Sequence, residues 1–338
     1  MSGNLRGGLI VSRMKKMPMH YPFRFGRKSP IREWGVMNYF LLNKLYIQFE
    51  SGKWFINFFL YSLFQNTPLG DRGMYSSLQL AFKYINYCIG SSNRKGHGIH
   101  SPFVFDFIKN VLNDKKEYAD YQNVESIRKE LLKNRFVLNI EDYGAGSSSS
   151  GSDQRSIASI AKHAVKPKKY SQLLYRIVKY YKPNTIIELG TSLGLTASYL
   201  LLANPDANIF TFEGSAEIAN NARRIFKTLE IEKIKLVEGN FDYTLPTVLY
   251  NLSSVDFAFI DGNHRREPTE NYFQWLLPKA NNNSIFIFDD IHWSKEMEQA
   301  WDNITEHSSV RCSIDLFFIG IILFRQEFKE KQHFTIQF

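Results

Sequence analysis

Cysteine is nearly absent: Cys88 and Cys312 stand alone in a chain of 338 residues. Two isolated thiols support neither a disulfide framework nor a cysteine metal site, and they point to a reducing, cytoplasmic setting. Long apolar runs are missing too. The longest near the start, WFINFFLYSLF at 54–64, is too short to cross a bilayer as a helix, and it has no small-residue cleavage pattern. There is no G-x-G-x-x-G loop and no lysine of a nucleoside-triphosphate loop, which ranks oxidoreductase chemistry last among the enzyme readings. No internal repeat is visible.

What is present is an ordinary apolar fraction of 44%, with 28 phenylalanines and 18 tyrosines. That suits a soluble globular chain with an aromatic core or cleft. The net charge of +9 is concentrated at one end. Residues 1–73 hold eleven basic against three acidic residues, leaving 31 against 30 in the remainder. A near-neutral body argues against a specific nucleic-acid partner. The basic, aromatic-rich segment 1–73 is expected to be a poorly ordered extension, or sequence upstream of a true start at Met74. A weak membrane-surface contact through KWFINFF is the alternative. Native protein whose intact mass begins at Met1 would refute the Met74 start.

From Met74 the pattern becomes regular. Helical spacing runs through SSLQLAFKYINYCI, and HSPFVFDFIKNVL opens with Ser101 as cap and Pro102 at the first helical position. YQNVESIRKELLKN is a further helix. The tract DYGAGSSSSGSDQRS predicts a mobile lid followed by a short helix over 153–162. Arg155, Lys168 and Lys169 are expected to be solvated, with contact to an anionic ligand as the alternative. His97 and His100 are expected to be structural. Segments 74–165 therefore form a helical cap with a lid.

Over 166–338, helices and strands alternate. The fold class expected is α/β: a Rossmann-like, mostly parallel sheet with helices on both faces, closed by an antiparallel hairpin from VRCSIDLF and IGIILFR.

The strand ends carry the chemistry. IIELGTSLGLTASYLL places Glu188, Gly190 and Gly194 where a strand turns into a helix, and the glycines allow a ligand close to the backbone. The next strand ends at Glu213, suited to ribose hydroxyls. The third ends EGNF, where Gly239 admits close approach, Asn240 can meet an adenine edge and Phe241 can pack on the ring. These features, and SQLLYRIVKYYKPNTIIELGTSLGLTASYLL in particular, resemble the class I S-adenosylmethionine-dependent methyltransferases of the catechol and caffeoyl type, over roughly residues 170–325. The resemblance implies S-adenosylmethionine as cofactor, held by Glu188, Gly190, Thr191, Gly194, Glu213, Gly214, Gly239, Asn240 and Asp261.

FAFIDGNHRR and SIFIFDD end two further strands on Asp261 and on Asp289 with Asp290. Carboxylates on neighbouring strands can converge on Mg²⁺ or a similar divalent ion, and unneutralised they would repel one another. The pattern also resembles metal-dependent sugar O-methyltransferases of antibiotic pathways. That implies Asp261, Asp289 and Asp290 as metal ligands and His264 as general base. His292 is the rival base and Trp293 a candidate substrate wall, while helix capping is the plain alternative for His264 and Asp290. Arg265 and Arg266 are expected to be solvated. The expected reaction is methyl transfer to a hydroxyl of a small molecule or sugar, with a homo-oligomer as the expected assembly. Metal-independent N- or C-methylation, and a non-catalytic protein binding membrane surfaces or nucleic acid, are the rival readings.

Overall fold

The computed structural model describes residues 47–50, 53–56, 74–91, 96, 99–140 and 154–338. Most of the basic extension, His97 and the tract 141–153 expected as a lid lie outside them. The chain divides into two units, Met1–Thr67 and Pro68–Phe338. In the first, strands β1 (Ile47–Glu50) and β2 (Lys53–Ile56) pair antiparallel, with Ile47 opposite Ile56.

The second unit opens with α1 (Ser77–Gly90), started by a capping box in which Ser76 and Gln79 satisfy each other's backbone. Helix α2 (Pro102–Phe107) begins as expected, Ser101 Oγ accepting from Val104 N–H and Pro102 occupying the first turn. It runs on through one π turn over Ile108–Leu112. Helix α3 (Ala119–Leu131) follows. Strands β3 (Val137–Asn139) and β4 (Gln154–Ser156) form a small ladder. The expected helix at 153–162 therefore starts later, as α4 (Ile157–His163), with Ser156 as its cap.

After α5 (Lys168–Tyr181) comes the central sheet. Its elements in chain order are β5 (Thr185–Leu189), α6 (Leu195–Ala203), β6 (Asn208–Glu213), α7 (Ala216–Thr228), β7 (Ile234–Glu238), α8 (Phe241–Tyr250), β8 (Phe257–Ile260), α9 (Arg266–Leu276), β9 (Ile285–Asp289), α10 (Lys295–Glu306), β10 (Cys312–Asp315), β11 (Ile319–Leu323) and β12 (Gln332–Thr335). Across the sheet the order is β12-β10-β11-β9-β8-β5-β6-β7. Strands β5 to β9 are parallel, whereas β11 lies antiparallel to both β9 and β10. FAFI and IFIFD are buried along their whole length, because helices cover both faces of the parallel sheet.

The cap is not a separate layer. Val104, Ile108 and Val124 share one core with Leu173 and Leu200. Arg176 Nε donates to Val111 O at 2.8 Å, and Tyr175 and Tyr199 hydroxyls donate to Asp120 and Glu125 at 2.6 and 2.9 Å. Among the described residues, no helix is long and apolar enough to cross a membrane.

One tight contact fixes the appended hairpin. A methyl group at Gly320, in β11, would lie 2.5 Å from the Trp301 ring of α10. Gly320→Ala is expected to cost about 1–3 kcal/mol of unfolding free energy. Urea melts giving the wild-type midpoint would contradict that packing.

Candidate active site

Five parallel strands end along one edge, and the chain reverses its direction of travel across the sheet between β5 and β8. Open α/β sheets bind ligands at such a switch point. Here the backbone is crowded and bent. Gly190 has φ 100, and a Cβ on it would lie 2.3 Å from Asp261 O, so the β5 and β8 ends meet with no room for a side chain. Gly194, at φ 77, caps α6, and a Cβ there would meet Phe226 at 2.7 Å. Ser192, Asn263 and Asp290 adopt φ of 49, 54 and 52, a left-handed conformation uncommon for such residues. All three follow strand ends, and backbone of this kind clusters at functional sites.

The expected cofactor, metal and base residues fall on this edge in two groups. Glu188 is fully buried, and its Oε2 accepts from Thr211 Oγ1. Thr191 Oγ1 shares a 2.6 Å hydrogen bond with Thr211 Oγ1, so Thr191 supports that network by its side chain. The other oxygen of Glu188 is buried without a partner. Burial, with Asp261 and Glu213 nearby, pushes the Glu188 carboxyl up to about 8 against the opposing Thr211 hydrogen bond. Glu213 accepts from Ser192 N–H at 2.8 Å and Ser215 N–H at 3.0 Å, which holds it at the mouth of the glycine loop beside Gly214. Gly239, at φ 119, leads into Asn240, whose Oδ1 caps α8 by accepting from Asp242 N–H at 2.8 Å. The Asn240 oxygen is thus committed to the helix. Phe241 packs on Gly262, where a Cβ would come within 2.6 Å of its ring. The Glu213 carboxylate at the loop mouth, the unpartnered Glu188 oxygen and the glycine cradle fit a cationic sulfonium cofactor with ribose hydroxyls.

The second group sits on β8 and β9. Asp261, His264 and Asp289 bring one ligand atom each within 4.8 Å of one another. His264 Nε2 lies 3.6 Å from Asp261 Oδ1, and its side chain is 28% exposed. It does not cap α9, whose cap residue is Arg265. Asp290 is itself in the left-handed conformation and stands outside the close set, and it does not cap α10, where Ser294 accepts from Met297 N–H. The sequence reading made Asp290 a third metal ligand. Its carboxylate is outside the mutually close trio, although its charge acts on Asp261 and Lys166.

The sequence reading did not include Lys166. Its ammonium donates to Asp289 Oδ2 and lies 3.7 Å from Asp261 Oδ2, with only 10% of its side chain exposed. Burial works against that charge, but Asp261 and Asp289 outweigh it and hold the lysine protonated. Asp289 is pushed up to about 7 by burial first and by Asp261 second, while Lys166 opposes the shift. The two carboxylates and the imidazole have the chemistry of a divalent-ion site. An ammonium already in contact with one and close to the other leaves that set ill-fitted to a second cation.

His292, the rival base, is fully engaged. Nδ1 lies 2.9 Å from Glu298 Oε1 and Nε2 lies 2.8 Å from Asp315 Oδ2. Although burial opposes the charge, these carboxylates push the imidazole up to about 9, so both nitrogens donate. Glu298 also accepts from Tyr75 at 2.6 Å and Lys83 at 2.9 Å, tying α1 to the sheet end. Burial alone would raise Glu298, but His292, Tyr75 and Lys83 bring it down to about 2. A depressed carboxylate adds stability above its unfolded value, and the gain is lost as pH falls through the folded one. The difference in thermal midpoint between wild type and Glu298→Gln should hold steady from pH 7 to about pH 5 and close as pH drops toward about 2. A difference independent of pH would show that the carboxylate charge does not anchor α1.

Of the other residues singled out, Arg265, Arg266, Lys168 and His100 are exposed, and Trp293 is half-buried. Lys169 stacks over Phe338 at 4.5 Å. Its neighbour three positions earlier is the lysine in the site. The available signal was position: Lys166 lies between buried Val165 and Pro167, in the link that feeds α5 and hence β5.

Residues 187–291 match the family model described as a methyltransferase domain. A methyltransferase of Podospora anserina bound to SAH is similar at 15% identity, over 67% of this chain and 97% of its own, with a TM-score of 0.48. An O-methyltransferase from Bacillus cereus in complex with SAH is similar at 17% identity, over 65% and 97%, with a TM-score of 0.44. The O-methyltransferase TomG from Streptomyces achromogenes, involved in tomaymycin synthesis and in complex with SAM, is similar at 14% identity, over 62% and 91%, with a TM-score of 0.44. The matched domain begins within β5 and ends just past β9, and so takes in the glycine loop, Glu213, Asp261, His264 and Asp289. The glycine cradle at the switch point of this sheet thus lies within a segment that matches a methyltransferase domain.

Proposed function

We propose that the chain transfers the methyl group to a hydroxyl oxygen of a small molecule or sugar, with His264 as the general base. The carrying observation is the pairing of His264 with Asp261: an imidazole at the mouth of the site, 3.6 Å from a carboxylate. Among the described residues it forms no hydrogen bond, whereas both nitrogens of His292 are taken. A base needs an uncommitted nitrogen within reach of the acceptor's proton.

Glu188, Glu213 and the backbone at Gly190 and Gly194 hold the cofactor. When bound, it supplies a methyl carbon on a positive sulfur, and the electron pair of the broken carbon–sulfur bond stays on sulfur. His264 receives the proton from the acceptor O–H, and the freed oxygen pair forms the new carbon–oxygen bond. Asp261, 3.6 Å away, orients the imidazole. Positioning the two reactants accounts for the largest share of such a rate gain. The divalent ion implied by the sugar O-methyltransferases takes no step here, because Lys166 already holds its two carboxylates.

Incubating the full chain with methyl-labelled S-adenosylmethionine and a panel of hydroxylated compounds tests this reading. Mass spectrometry should place the label on oxygen. Label on nitrogen or carbon of an acceptor, with every hydroxyl left unmodified, would overturn it.

A further inference from the structure

We propose that the Lys166 ammonium is the resident cation of the Asp261–Asp289 pair, taking the place that a divalent metal would occupy and making the site metal-independent. The inference rests on the reading of these strand ends as the methyl-transfer site.

Three observations carry it. The first is position. Lys166 Nζ contacts Asp289 Oδ2 and stands 3.7 Å from Asp261 Oδ2, the two carboxylates that with His264 form the one metal-competent cluster among the described residues. A divalent ion on those oxygens would sit against a like charge.

The second is anchoring. Val165 before the lysine is buried, and the Lys166 carbonyl accepts from Ser171 Oγ at 3.1 Å. Ser171 is itself fully buried, and its N–H donates to Pro167 O at 3.1 Å. The backbone on either side of the lysine is therefore fixed to the start of α5, and the side chain serves the strand ends from a rigid base.

The third is need. Asp289 is 1% exposed, and its Oδ1 has no partner. Removing the lysine would leave two carboxylates with ligand atoms close together and no cation between them, a pair open to a replacement cation.

An ammonium also has three hydrogens to donate. Asp289 accepts one and Asp261 stands in ion-pair range, so donor capacity remains for an acceptor oxygen. Lys166 would in this way position the hydroxyl and stabilise its developing negative charge, with His264 receiving the proton.

The test uses Mn²⁺ as the probe and needs no acceptor. Electron paramagnetic resonance of free Mn²⁺ is followed as the full chain is added, for wild type, Lys166→Met and Lys166→Met with Asp261→Asn. Wild type should leave the signal of free Mn²⁺ undiminished. Lys166→Met should bind Mn²⁺ about tenfold or more tightly than wild type, in the range that neighbouring groups tune metal sites. Adding Asp261→Asn should abolish that gain. Tight Mn²⁺ binding by wild type, or equal affinity in wild type and Lys166→Met, would overturn the proposal. Lys166→Gln repeats the comparison should the methionine variant fail to fold. S-adenosylmethionine binding, measured alongside, separates failure of this inference from failure of the methyltransferase reading, since it depends on Glu188 and Glu213 and not on the cation.

Discussion

His264→Gln is expected to lower turnover by about 10²–10⁴-fold, the usual contribution of a positioned general base, while cofactor affinity stays unchanged. The expectation follows from where the imidazole sits. It stands next to Asp261 at the end of β8, partly open to solvent and bound by no donor or acceptor among the described residues. Glutamine keeps the length and polarity but cannot take a proton at neutral pH. The cofactor cradle proposed above lies on β5 and β6 instead, so loss of the base should spare it. His292→Gln is the matched control. Its target lies in the Glu298–Asp315 clamp, so it should lower thermal stability and leave the chemical step close to wild type. Equal turnover by wild type and His264→Gln would move the base elsewhere.

Gly190→Ala should abolish detectable cofactor binding and destabilise the fold. An alanine at φ 100 is strained wherever it points, at about 1–3 kcal/mol. The new methyl would also lie 2.3 Å from Asp261 O, so either the β5 loop or the β8 end must move. Either movement shifts the glycine loop relative to Asp261, and displacements near 1 Å cost about 100-fold in such sites. Thermal melts and cofactor titration of the same sample check both parts. An alanine variant with wild-type melting and binding would show that the two loops do not need their contact.

Much of this arrangement was legible in the sequence because it rests on local rules. Buried parallel strands appear as unbroken apolar runs, so FAFI and IFIFD placed themselves. Ser101–Pro102 announced α2, and the glycines of the first strand-to-helix turn marked the cradle. Pairing is different, since it depends on residues far apart. Strand β4 is three polar residues, visible only through its partner at 137–139. Helix α8 was concealed by Pro246, which removes a backbone donor from inside it. The short strand β12 sits behind the charged stretch KEKQ and is defined by its ladder to β10.

The site divides in the same way. Asp261, His264 and Asp289 were readable as strand ends facing one edge, and the structure brings them together. Asp290 was not separable from Asp289, because only the turn after the strand decides which carboxylate joins the group. Lys166 lies 95 residues before Asp261 in the chain, and nothing in KPKK marks which lysine turns inward. Its role becomes visible only when the link before α5 is folded against β8 and β9.

Calorimetric titration of the full chain with S-adenosylmethionine tests the central claim most directly, alongside Glu213→Ala. The account predicts one-to-one binding with a Kd on the order of micromolar, weakened about tenfold or more in the variant by loss of the carboxylate that holds the loop mouth. A folded wild-type sample that gives no binding heat and no ligand-induced rise in melting temperature would contradict it.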